Sequence, residues 1–307
     1  MSESNVSLLP TTPPAALASS ASEAVRHALQ NAGYEVLPLR GAEEKVLASV
    51  PRELPLSVTM TATKGLHATI DLAERLTRHG YRVTPHIAAR MVRDRAELAD
   101  VVDRLAANRI DSIFVIAGDV PTAAGSFSDS IELLDTLATT GHHFTRIGVG
   151  GYPEGHGTLS PQAIASALDR KAHLATYIVT QMCFRSETTV AWARGLRRRG
   201  ITLPVYAGLP GAVTRQKLVR ISASLGLGPS ARYLLKQNNL LLRFFLPGGY
   251  RPDRLVTGLG SSLTGPAPAV AGLHLFTFNE LARTEAWRQA WLTRLRWRGN
   301  LTPVEAA

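Results

Sequence analysis

The sequence predicts a closed (β/α)8 barrel of the TIM-barrel class, with a disordered amino-terminal tail and an insertion between strands 7 and 8. Three observations predict it. Eight short apolar runs alternate with segments of helical period, and such alternation implies parallel strands joined by helical crossovers. The 307-residue length accommodates one barrel, which needs about 250 residues. No Gly-x-Gly-x-x-Gly follows the first run, which argues against an open, doubly wound dinucleotide-binding sheet.

Residues 1–21 show no period and few large apolar side chains, and read as the disordered tail. Their Ser/Pro/Ala-rich stretch Ser7–Ser22 lacks the basic and apolar regions of a signal peptide. A single catalytic barrel domain is expected over residues 22–307. It opens on a helix at Ser22–Asn31 with Val25, Ala28 and Leu29 along one face. Strands are expected at Tyr34–Pro38, Leu56–Met60, Arg82–Ile87, Ser112–Ala117, Arg146–Gly150, Tyr177–Gln181, Pro204–Ala207 and Leu273–Phe276. Between them, Leu66, Ile70, Ala73 and Leu76, then Leu98, Val101, Val102 and Leu105, step by the helical repeat. Gly80 and Gly200 follow basic residues and mark helix ends. The insertion, Ser224–Pro268, carries helical patterns at Ser230–Asn239 and Asp253–Leu263 and a Pro-Gly-Gly turn at 247–249. It is too short for a core of its own. The last helix, Asn279–Arg298, presents Trp287, Trp291 and Leu295 as one stripe, a face for the core or for a second copy of the chain. That stripe is the one pointer to a homo-oligomer.

Apolar residues make up 45% and charged residues 19%, an ordinary balance for a soluble domain with a large core. No apolar run approaches the roughly 20 residues of a membrane span, so a cytoplasmic protein without membrane contact is expected. Cys183 is the only cysteine, which rules out an internal disulfide; set in the run Ile178–Phe184, it reads as a small buried hydrophobe. No Cys/His set has metal-ligand spacing. The net charge of +10 attracts anions in general, but its excess lies in Arg197–Arg199 and Arg283–Arg298. Neither segment carries a nucleic-acid motif, and both read as solvated helix faces with no nucleic-acid partner.

In barrels of this class, chemistry sits at the carboxyl ends of the strands. Three features there stand out. Glu35 interrupts the apolar strand Tyr34–Pro38; burial raises a carboxyl pKa, which suits a general acid, although strand alternation also permits an outward-facing residue. Gly118-Asp119-Val120-Pro121 puts a carboxylate behind a permissive glycine at the fourth strand's end, unless Asp119 merely caps a helix or turn. Gly150–Gly157 packs Tyr152, Glu154 and His156 among glycines, offering a stacking face and hydrogen bonds to a planar ring; a surface turn is the plain alternative.

Together these segments resemble the methylenetetrahydrofolate reductase family. The likeness runs in order through Tyr34–Leu39, Leu56–Thr61, Thr84–His86, Ile113–Pro121, Gly151–His156, Arg170-Lys171, Ile178–Gln181 with Phe184, Tyr206–Pro210 and Leu273–Asn279. Gly-Asp-x-Pro and Tyr-Pro-Glu-x-His are its most specific pieces. The resemblance implies reduction of 5,10-methylenetetrahydrofolate to 5-methyltetrahydrofolate by NADH or NADPH, and a place in one-carbon metabolism and methionine synthesis. It implies Glu35 as the acid that opens the folate ring, Asp119 as the carboxylate facing the pterin, and Gln181, Thr59 and Phe184 as substrate contacts. His86, Gly118, Tyr152, Glu154, His156, Arg170 and Lys171 are implied as cofactor contacts. Three positions depart from the family: Ala117 stands for a flavin-binding arginine, and Ile164 and Ala167 for polar flavin contacts. Charge-assisted hydrogen bonds of that kind contribute about 1.5–3 kcal/mol each. Weak or absent FAD and direct hydride transfer from NADH are therefore expected.

Two other readings stay open. One keeps the barrel as a pterin-binding methyl-transfer protein without reductase activity. The other is an anion- or nucleic-acid-binding protein exploiting the +10 charge, whose affinity would fall steeply with salt.

Overall fold

The eight apolar runs become eight strands that close on themselves. The computed structural model describes residues 19–214 and 251–299. Its elements are α1 (Ser19–Gln30), β1 (Gly33–Val36), α2 (Ala42–Ser49), β2 (Leu56–Val58), α3 (Gly65–Arg78) and β3 (Val83–Ala88). A 3-10 turn, Ala89–Met91, leads to α4 (Arg95–Ala107), β4 (Ser112–Ile116), α5 (Ser130–Thr140), β5 (Arg146–Gly151) and α6 (Pro161–Ala172). Then come β6 (Tyr177–Met182), α7 (Ser186–Arg198), β7 (Val205–Pro210), α8 (Asp253–Leu259) with a 3-10 turn at Gly260–Leu263, β8 (Gly272–Phe276) and α9 (Leu281–Gly299). The strands form a closed barrel in sequence order, every pair parallel, and β8 returns to β1 with Gly33 beside His274 and Glu35 beside Phe276.

The helix ends follow local chemistry. Asp94 and Asp129 accept backbone N–H groups at the starts of α4 and α5, and Ser160 does so for α6 with Pro161 behind it. Gly80 and Gly200 stop α3 and α7 with positive φ, as expected for glycine at that position. The first helix begins at Ser19, three residues earlier than the sequence pattern implied, because Ala21 joins Val25, Ala28 and Leu29 on its buried face. Residues 1–18 of the expected tail, the pattern at Ser230–Asn239 and the turn at 247–249 lie outside the described residues. The second pattern of the insertion is present as α8 and its 3-10 turn.

Strand alternation separates two cores. Outward residues such as Tyr34, Val58, Ile87, Val115, Ile178 and Leu273 pack under the helices with Leu29, Ile70, Leu105 and Leu137. Each fully buried side chain of this size contributes about 1.5–3 kcal/mol. Inside the barrel a smaller cluster joins Phe114, Tyr177 and Val179 with Ile116 and Tyr206. Gly148 sits between Phe114 and Tyr177 in the ladder, and a Cβ there would overlap both rings. Toward the amino-terminal ends of the strands, the Thr84 hydroxyl donates to Ser112 at 2.9 Å and the Arg146 guanidinium lies 4.9 Å from the centre of the Tyr177 ring.

The tryptophan stripe of α9 faces inward. Trp287 and Trp291 are 4% and 2% exposed, and both indole N–H groups donate to Asp253 Oδ1 of α8, at 3.3 and 2.6 Å. The stripe is therefore intramolecular core, and the pointer to a second copy of the chain falls away. The basic run is not wholly solvated either. Arg288 is buried, donates to the Leu29 carbonyl and pairs with Glu285, which also accepts the Tyr34 hydroxyl. Arg197 and Arg199 bind the carbonyls of Ala267, Pro268 and Ala165 and the Asp169 carboxylate. No helix among the described residues is long and apolar enough to cross a membrane.

Candidate active site

Glu35 lies on the inward face of β1. Its side chain is 15% exposed, and its Oε2 stands 3.6 Å from His274 Nε2 and 4.0 Å from His86 Nε2. The outward-facing alternative is excluded, since Tyr34 and Val36 occupy that face. Thr277 Oγ1 donates to the Glu35 carbonyl, and the Asn279 amide both accepts from Leu37 N–H and donates to its carbonyl. The turn after β8 thus clamps the end of β1, with Phe278 and Asn279 held at φ 51° and 60°. Positive φ at non-glycine residues costs energy and persists only where the surroundings enforce it.

His86 was implied as a cofactor contact, and the structure places it beside the carboxylate. It is 5% exposed, its ring 4.7 Å from Phe114. Burial pulls its pKa down to about 4, outweighing the pull of Glu35 in the other direction. His274 is the residue that sequence reasoning missed. Its signal was present: it alternates with Leu273 and Leu275, which puts it on the face opposite those buried leucines. Ser57, level with Glu35 in the β1–β2 ladder, adds a buried hydroxyl with no protein hydrogen-bond partner among the described residues.

The loop after β4 carries Gly118 and Asp119 to the rim. Gly118 has φ +92° and lies against Ala88, where a Cβ would come within 3.1 Å. Arg90 braces this loop: its three guanidinium nitrogens donate to the carbonyls of Val120, Ser128 and Pro121. Asp119 is exposed and caps no helix; Asp129 caps α5. The negative charge of Asp119 adds to the burial that raises the pKa of Tyr152, from the next loop. The Tyr152 ring meets His156 edge-on at 5.2 Å, and His156 Nδ1 accepts from Thr158.

Glu154 is buried, and its Oε1 accepts the backbone N–H groups of Phe184 and Arg185 at 2.8 Å each. It thereby ties the loop after β5 to the start of α7. The β6–β7 register shifts between Val179 and Met182, so Gln181 rises from an irregularity in β6. Such bulges redirect side chains at barrel rims. The buried Thr180 hydroxyl and Cys183 backbone bind Gly208 across this break. Cys183 is fully enclosed, and burial pushes its thiol up to about 11, an unreactive hydrophobe as its sequence context implied. Thr59 is half-buried at the end of β2 and Phe184 is buried beside Glu154's brace. On α6, Arg170 is exposed, whereas Lys171 is buried with its pKa lowered by that burial and partly restored by Asp129.

The closed barrel brings the ends of β1, β4, β5 and β6 to one rim, so Glu35, Asp119, Tyr152 and Gln181 share that end of the molecule. Glu35, His86 and His274 gather their polar atoms inside the barrel, below the strand ends that lead to Asp119, Tyr152 and Gln181.

Among solved structures, an uncharacterized protein from Clostridium thermocellum that binds two copies of 5-methyl-5,6,7,8-tetrahydrofolic acid is similar at a TM-score of 0.56 and 10% identity, over 90% of this chain and 98% of that one. Dihydropteroate synthase from Thermus thermophilus matches at 0.39 and 12% identity, over 88% and 93%. At such identities the first likeness speaks for the fold. The description of the methylenetetrahydrofolate reductase family matches residues 43–225, more than half of the sequence, and the chain belongs to that family.

Proposed function

We propose that this protein reduces 5,10-methylenetetrahydrofolate to 5-methyltetrahydrofolate with NADH or NADPH, without a tightly bound flavin. The observation that carries the reading is Glu35, a carboxyl group enclosed in the barrel between two imidazoles and beneath the rim of a family member's barrel. In this reading Glu35 donates a proton to N10 as the C–N10 bond breaks, leaving the one-carbon unit as an iminium on N5. Asp119 faces the pterin and stabilises that cation. Gln181 pairs with the pterin edge as donor and acceptor together, with Thr59 and Phe184 beside it. The dihydronicotinamide supplies the hydride. Gly118, Tyr152, His156, Arg170 and Lys171 shape its side of the mouth.

The residues present do not fit a tightly held FAD. Ala117 offers no guanidinium, Ile164 is buried and apolar, and Ala167 has no polar side chain. Arg90, whose backbone N–H binds the Ala117 carbonyl, has all three guanidinium nitrogens engaged by the loop. The second reading, a folate-binding methyl-transfer protein without reductase activity, draws on the same departures and on the ligand of the Clostridium thermocellum protein.

Anaerobic NADH oxidation by purified protein, with and without methylenetetrahydrofolate and FAD, separates the two. Reduction requires oxidation that depends on the folate and not on added FAD, with Glu35→Gln losing about 10²–10⁴-fold in kcat. Folate binding without any NADH oxidation would establish the second reading.

A further inference from the structure

Resting on the reading of Glu35 as the acid, we infer that His274 is a positioning residue that returns a proton to Glu35, with His86 as the wall that confines the proton to this pair. Both Nε2 atoms point at one oxygen, Glu35 Oε2, at 3.6 and 4.0 Å, from strands on opposite sides of β1 in the closed sheet. They stand just outside direct hydrogen-bond length, near enough for a small movement of the carboxylate to close either contact. The two histidines are not equivalent. His86 is the more buried, stacked against Phe114 and kept neutral by desolvation at about 4. His274 is closer to the carboxylate and slightly more open, its side chain 10% exposed against 6%. The shorter contact makes His274 the imidazole placed to exchange a proton with Glu35.

The remaining groups around Glu35 support this division. On β2 the neighbour is the Ser57 hydroxyl, which carries no charge and has no protein partner among the described residues. Behind β1, Tyr34 is bonded to Glu285, which is neutralised by Arg288. Among the described residues, the titratable groups within ion-pair distance of Glu35 are His86 and His274.

The proton balance follows. Opening the folate ring moves the proton of the Glu35 carboxylic acid to N10, which keeps the electron pair of the broken C–N10 bond. Glu35 is left as a carboxylate, and the hydride from the dihydronicotinamide then completes the methyl group. The imidazolium of His274 gives its proton to Glu35 and takes another from water at the mouth. One solvent proton and one hydride are consumed per turnover.

The test uses the full chain and two readouts. The first is an NMR titration of the histidine Cε1–H resonances without ligands, in wild type, Glu35→Gln and His274→Gln. Glu35→Gln is expected to change the pH dependence of the His274 resonance, because the two side chains lie 3.6 Å apart. His274→Gln is expected to raise the His86 midpoint, because the His274 charge opposes protonation of His86. The second readout is the pH profile of folate-dependent NADH oxidation. His274→Gln should lose about tenfold in kcat, less than loss of the acid itself, move the alkaline limb to lower pH, and leave the folate KM within about twofold. An unchanged His274 midpoint in Glu35→Gln overturns the inference whether or not the protein is a reductase. Coupled midpoints with no NADH oxidation in wild type would overturn the reductase reading and leave the proton-sharing pair standing. Coupled midpoints with active wild type but an unaltered His274→Gln profile would overturn the proton-return role.

Discussion

His86 makes the acid range informative at the level of single residues. In the unfolded chain an imidazole titrates near 6.5, and in the barrel His86 is pulled down to about 4 by burial. Between those values the unfolded chain binds a proton that the folded chain does not. Stability from this group is therefore full above pH 6.5 and lost as pH falls toward 4, by on the order of 2–3 kcal/mol. Urea unfolding at pH 7 and pH 5 should show a smaller loss in His86→Gln than in wild type; identical losses would contradict the burial argument. Glu154 gives a second prediction. Its oxygen satisfies two backbone donors, so Glu154→Ala should destabilise the fold by about 2–4 kcal/mol in the same assay. Glu154→Gln, which keeps an acceptor oxygen, should retain much of that stability, and equal losses in both variants would argue against the brace.

At the scale of elements, two contacts carry predictions of their own. Asp253 joins α8 to α9 by receiving two indole N–H groups, so Asp253→Ala should lower stability by about 2–4 kcal/mol and leave both indoles unpaired. Trp fluorescence during unfolding measures this. Gly148→Ala forces a methyl group between Phe114 and Tyr177, and overpacking of this kind costs about 1–3 kcal/mol. A melting temperature equal to wild type would mean that the inner rings repack freely. The same contacts show what the sequence could and could not convey. The strands were legible because apolar runs of strand length, bounded by helix stops, recur eight times. The direction of the tryptophan stripe was not, because helical period marks a buried face without saying what buries it. Glu35 was legible as a carboxylate in an apolar strand. For His274 the alternation with Leu273 and Leu275 marked only an inward face; its place beside Glu35 depends on β8 closing against β1, a pairing between residues far apart in the chain.

For the whole molecule, the closed barrel turns residues scattered from β1 to β8 into one rim above the cluster of Glu35, His86 and His274. Family membership sets the chemistry to look for, and the residues at Ala117, Ile164 and Ala167 are the reason for proposing direct hydride transfer. The most direct test follows the hydrogen itself. The purified protein, with no flavin added, is given NADH deuterated at the transferring C4 position, together with methylenetetrahydrofolate in ordinary water, and the methyl group of the product is weighed by mass spectrometry. Direct transfer predicts one deuterium retained in every methyl group formed. A methyl group carrying solvent hydrogen instead would reveal an exchangeable relay between nicotinamide and folate and contradict the account.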